Sequence, residues 1–165
     1  MTTEWEDIAD ALRQEAAEYG GLLHLFEEQQ RLLFARDPDA VLRMSEEIQA
    51  RLPLVQETRR NREARVAAFA VEAGQPADSS LRALLKFFLP QAQPLLDALI
   101  TEINILIHRV RKVSRHNHAL LQRAMESHQQ VLRVLRPDGF VQTYAPNGRV
   151  APLSVRPVAA LHAAG

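Results

Sequence analysis

The side chains in this chain that could do chemistry are its six histidines and its evenly matched sets of 20 acidic and 20 basic residues; there is no cysteine. A metal site built on a helix needs ligands one turn apart on one face. His116 and His118 fall on different faces, His108 and His128 stand alone, and Glu126-Ser127-His128 lacks the Glu-x-x-His spacing of di-iron bundles. The carboxylate pairs Glu27-Glu28 and Glu46-Glu47 fit solvated helix faces better than acid–base pairs. A glycine-rich phosphate loop, a Gly-x-Ser-x-Gly elbow and a cysteine nucleophile are all missing. The expectation is a protein that is not an enzyme and holds no metal or cofactor.

The basic run His108-Arg109-Val110-Arg111-Lys112-Val113-Ser114-Arg115-His116 is the strongest candidate for binding a polyanion. It has no interleaved aromatics to stack on bases. Its surroundings oppose it as well, because Met1 to Glu57 carries 13 acidic and 5 basic residues while Thr58 to Gly165 carries 7 and 15. Opposite charge in the two parts predicts acidic early helices pairing with basic later ones inside one bundle. Nucleic acid is therefore not expected as a partner, and a basic-helix nucleic-acid binder stays as the last alternative.

These groups must be carried by elements, and composition names the class. Apolar residues make up 47% of the 165, aromatics 5%, and the rest is rich in Leu, Ala, Glu and Arg, which suits helices. The length suits one core. The first ten residues contain Glu4, Glu6, Asp7 and Asp10, unlike a signal peptide, and no run approaches a membrane span, so a cytoplasmic location without membrane insertion is expected.

Trp5, Leu12, Tyr19, Phe26 and Leu33 recur every seven residues, with Ile8 and Leu22 between them and Glu15 and Gln29 interrupting the second seam position. Gly20-Gly21 marks a weak point. Asp37-Pro38 predicts an N-cap with proline at the first helical position. The second helix carries Val41, Ile48, Val55, Val66 and Phe69, is expected to kink at Pro53, and stops at Gly74. Its stretch from Gln56 to Arg65 is almost entirely polar, so one or two turns there are expected to be solvated on all sides or paired with the acidic first helix. Asp78-Ser79-Ser80 opens a short helix with Leu81, Leu84, Leu85 and Phe88 at i, i+3, i+4 and i+7, broken by Pro90. A last helix from Pro94 to Arg136 spans about 65 Å. The expected fold is all-α: an up-down-up antiparallel three-helix bundle with coiled-coil-like packing over residues 1–136, a short extra helix, and a flexible tail over 137–165.

Three features exceed what a plain bundle requires. Asn117 falls on the seam of the last helix, either as a buried residue that fixes register or as a functional one. Leu121, Met125, Leu132 and Leu135 form a stripe offset from Asn117, Leu120, Ala124 and Val131, wide enough for a groove, a homodimer contact or a broader core. Tyr144, in Thr143-Tyr144-Ala145-Pro146-Asn147-Gly148, is an aromatic in a polar tail.

The long N-terminal helix with Tyr-Gly-Gly-Leu-Leu-His-Leu-Phe-Glu-Glu-Gln-Gln at 19–30, the second long helix and the short Leu-rich element resemble the FlgN family of flagellar export chaperones. Asn117-x-x-Leu120-Leu121 is similar to that family's Asn and paired leucines. Tyr144-Ala145-Pro146-Asn147-Gly148 is similar to its Tyr-Gly-x-x-Gly element, with Ala145 in place of glycine. The resemblance implies a chaperone for the hook-associated, or hook-filament junction, proteins. It also implies that the C-terminal region, with Leu120, Leu121, Met125, Leu132 and Leu135, holds the client and that Tyr144 meets the cytoplasmic domain of the export gate. A coiled-coil scaffold or self-associating structural protein is the alternative.

Overall fold

A computed structural model describes residues 4–135, all of whose regular elements are helical. Helix α1 spans Glu4–Ala35, α2 Pro38–Glu72, α3 Leu81–Leu84 and α4 Gln93–Leu135, with a 3-10 turn at Leu85–Phe87. Among them two compact units are distinguished, one ending at Arg123 and the other beginning at Ala124. The expected tail over 137–165 lies outside the described residues.

The helix ends follow from local chemistry. The first turn of α1 carries Glu4, Glu6 and Asp7, which complement the positive end of the helix dipole. At its other end the Arg36 N–H donates to Leu33 O (3.2 Å) and the Asp37 N–H to Leu32 O (3.3 Å), a Schellman closure with Arg36 at φ 55°. Asp37 then accepts the Ala40 N–H at 3.0 Å and caps α2, with Pro38 at the first helical position. The same closure ends α2: Gly74 N–H bonds Val71 O and Gln75 N–H bonds Ala70 O, with Gly74 at φ 69°. Ser80 caps α3 by accepting the Ala83 N–H at 3.3 Å.

Within the first unit, cross-helix contacts order the elements. Glu15 pairs with Arg62, Glu18 with Arg51 and Gln29 with Ser45, so α2 runs antiparallel to α1. Glu27 pairs with Arg109 and Gln29 with Asn117, so α4 runs parallel to α1. The core is drawn from every element: Ile8, Leu12, Leu22 and Leu23 from α1, Ile48, Val55, Val66 and Ala70 from α2, and Leu96, Leu99, Ile103 and Val110 from α4. Leu81, Leu84 and Phe88 close one end, with the Phe88 ring stacked on Phe69 at 3.9 Å between centroids. At ~25 cal/mol per Å2, burying a side chain such as Leu12 or Leu96 stabilises the fold by about 2 kcal/mol.

Helix α1 continues unbroken through Gly20-Gly21, and α2 through Pro53. The short helix is shorter than its apolar spacing predicted. One α turn ends at Leu84, a 3-10 turn follows, and Phe88 is extended just ahead of Pro90, which disfavours helical geometry.

Candidate functional site

The site is built on α4, whose buried face consists of Leu96, Leu99, Ile103, Val110 and Asn117. From Ile103 the spacing is strictly seven residues, the period of a helix that keeps one seam against a partner. Asn117 is its last buried member, and it is 1% exposed. Its Nδ2 donates to Phe26 O at 2.8 Å and to Gln29 Oε1 at 2.9 Å. Gln29 Nε2 donates to Ser45 Oγ at 3.0 Å, and that hydroxyl donates to Val41 O at 2.9 Å. A single chain of donors therefore runs from α4 through α1 to α2. Asn117 Oδ1 is left without a partner, at a cost of about 1–3 kcal/mol that the other bonds offset. The seam position is thus held by a buried amide that bonds across to α1. Gln29, which interrupts the apolar seam of α1, is its partner. Ser45 carried no sequence signal that it would complete the chain.

Beyond Asn117 no described residue of α4 is buried. Leu120 and Leu121 are half-buried. In the continuation from Ala124, Leu132 is half-buried while Met125 is 63% exposed, Val134 80% and Leu135 71%. Phe34 and Leu42, on either side of the Asp37 turn, are also exposed and were not singled out by periodicity. Tyr144, Asn147 and Gly148 lie outside the described residues.

Charged groups around the basic run are partly engaged. Arg109 pairs with Glu27 at 3.1 Å, His116 Nδ1 shares a hydrogen bond with Gln30 Nε2 at 2.8 Å, and Arg115 donates to Arg111 O. Deeper in the bundle the Glu15 carboxylate is fully buried and receives Arg62 Nε at 2.7 Å and Nη2 at 3.3 Å. Burial, followed by the neighbouring Glu15 charge, holds the Tyr19 phenol above its ordinary range. Arg59, through its hydrogen bond and its charge, holds the Glu63 carboxyl below the usual carboxylate range. Among the described residues no group of three or more potential metal ligands converges. No described helix is long and apolar enough to cross a membrane.

Comparison with curated proteins and with solved structures returned no significant match. The family model described as FlgN protein matches residues 1–152, which include the helices, the Asn117 seam and the Tyr144 motif. The chain belongs to the FlgN family, a family of flagellar export chaperones.

Proposed function

We propose that this protein is a cytoplasmic chaperone that covers hook-associated proteins with the apolar face of α4 and passes them to the flagellar export gate. The observation that supports this reading is the end of burial at Asn117: Met125 and Leu135 stand exposed in a helix that continues to Leu135. The clients' chemistry explains the need. Filament-type subunits carry amphipathic terminal helices that pair only on assembly, so beforehand their apolar stripes must be shielded. Leu120, Leu121, Met125, Leu132 and Leu135 supply a matching stripe, with Met125 able to adapt to more than one partner. Covering around 800 Å2 at ~25 cal/mol per Å2 gives about 20 kcal/mol gross, which association costs reduce to a reversible affinity.

In this reading α1, α2 and α4 are a three-helix bundle that holds the client face. Tyr144 is the anchor for the cytoplasmic domain of the gate. A tyrosine offers a large apolar face and one hydroxyl for only two frozen torsions, which suits a weak and reversible contact.

Leu121→Asp with Leu132→Asp tests the client face by titration calorimetry against a purified hook-associated protein. Binding should be lost while far-UV circular dichroism is kept and the melting temperature falls by only a few degrees, because both leucines are half-buried rather than core. Retained affinity sinks the proposal. An unfolded double variant would place both leucines in the core. Tyr144→Ala should leave melting and client affinity unchanged and abolish gate binding and client secretion; full secretion excludes the anchor. Self-association through the same stripe would appear as a dimer in light scattering that Leu121→Asp dissolves.

A further inference from the structure

Cross-helix hydrogen bonds fix which residues share a level near the Asp37 turn. Gln29 meets Asn117 on α4 and Ser45 on α2, and Gln30 meets His116. Because α4 runs parallel to α1, one further turn along both brings Phe34 level with Leu120 and Leu121. Because α2 runs antiparallel, one turn back from Ser45 brings Leu42 to the same level. All three helices therefore carry apolar side chains there.

Phe34 stands on the face of α1 that meets α4. It follows Glu27 and Gln30 at the i, i+3, i+7 spacing of one face, and those two reach Arg109 and His116. Leu42 likewise stands three residues before Ser45, on the side of α2 that reaches Gln29. One turn past the buried Asn117, however, the described residues leave most of both side chains uncovered. Phe34 is 64% exposed and Leu42 62%, at the level of the half-buried Leu120 and Leu121.

Area and continuity select the occupant. Phe34 and Leu42 expose on the order of 200 Å2 between them, against about 800 Å2 per partner in a stable complex. The pair is too small to hold a second copy by itself, but it can extend a contact that begins on Leu120 and Leu121. Packed helix axes lie about 8–10 Å apart, so a helix laid on those two leucines reaches side chains of the neighbouring helices as well.

We propose that Phe34 and Leu42 belong to the client face and contact the same amphipathic helix of a hook-associated protein that lies on Leu120 and Leu121. This inference rests on the chaperone reading above. Phe34 carries the larger share, since a ring brings the larger apolar area to a contact.

Titration calorimetry of the full chain against a purified hook-associated protein tests it. Phe34→Ala with Leu42→Ala should weaken binding at least about tenfold. Its melting temperature should stay within about 2 °C of the parent, because both side chains are exposed. Val71→Ala is the control: Val71 is as exposed as Leu42 but stands at the other end of α2, and its loss should leave affinity unchanged. If Leu121→Asp with Leu132→Asp loses binding while Phe34→Ala with Leu42→Ala keeps it, this inference alone is overturned. Retained binding in both overturns the client face as a whole. The inference also fails if Val71→Ala weakens binding equally, which would mark a general loss of apolar surface. It fails too if the melting temperature of the double alanine variant drops further than stated, or if light scattering shows a dimer which that variant dissolves.

Discussion

Glu15 is the residue whose position is hardest to justify by itself, a carboxylate with no exposed surface. Arg62, two-pronged at 2.7 and 3.3 Å, makes it tolerable. Removing one partner of such a pair strands a buried charge at a cost of about 3–5 kcal/mol, whereas replacing both with apolar groups is often neutral. Arg62→Met should therefore lower unfolding stability in urea by about 3 kcal/mol, and Glu15→Leu added to it should recover most of that loss. A mild Arg62→Met, or no recovery in the double variant, would show that Glu15 is reached by solvent. The pair also explains the polar stretch from Gln56 to Arg65, whose only apolar residue is Ala64, because one of its arginines reaches into α1. Asn117 was legible as a seam residue from its spacing. Its partners were not, since pairing Gln29 with Ser45 requires the relative rotation of α1 and α2, which no single-helix pattern contains.

At the scale of elements, boundaries were legible wherever a local hydrogen-bonding rule sets them: Asp37-Pro38, Gly74 and Ser80 all act as their residue types predicted. At two glycines and an arginine the tertiary or backbone setting adds what the sequence pattern does not contain. A Cβ at Gly21 would collide with the Arg51 guanidinium, which crosses there to pair with Glu18 at 2.7 Å, while a Cβ at Gly20 meets nothing within 4 Å. Gly21 thus gives room to a cross-helix contact within an unbroken helix. Gly20→Ala should stabilise the protein by about 1 kcal/mol, from helix propensity alone. Gly21→Ala should gain less, because Arg51 must move. At Arg36 the left-handed backbone penalises a side chain by about 1 kcal/mol, so Arg36→Gly should raise the melting temperature even though glycine is the poorer helix former. Thermal unfolding of the three variants checks this order. A Gly21→Ala protein as stable as Gly20→Ala would show that Arg51 swings aside without loss.

For the molecule as a whole, the total charge of zero conceals an acidic beginning and a basic remainder. Their complementarity is spent partly inside the fold, since Glu15 meets Arg62 across α1 and α2 and Glu27 meets Arg109 across α1 and α4. The basic run of α4 is divided accordingly. Arg109 is paired, Arg115 turns back on the helix backbone and His116 shares a hydrogen bond with Gln30. A duplex needs several cations presented together along its phosphates, with affinity that falls steeply with salt. Here the Glu27 carboxylate of α1 lies beside Arg109, one of the arginines that would supply them. Short duplex DNA should consequently bind no tighter than ~100 μM at physiological ionic strength, measured by anisotropy of a labelled duplex across a salt series. Glu27→Gln, which frees Arg109 and removes a repelling carboxylate, should strengthen that weak binding measurably while leaving client affinity alone. Micromolar affinity of the unaltered chain, with a steep salt slope, would mean that the basic run acts as one surface and that its pairing with α1 is too weak to mask it.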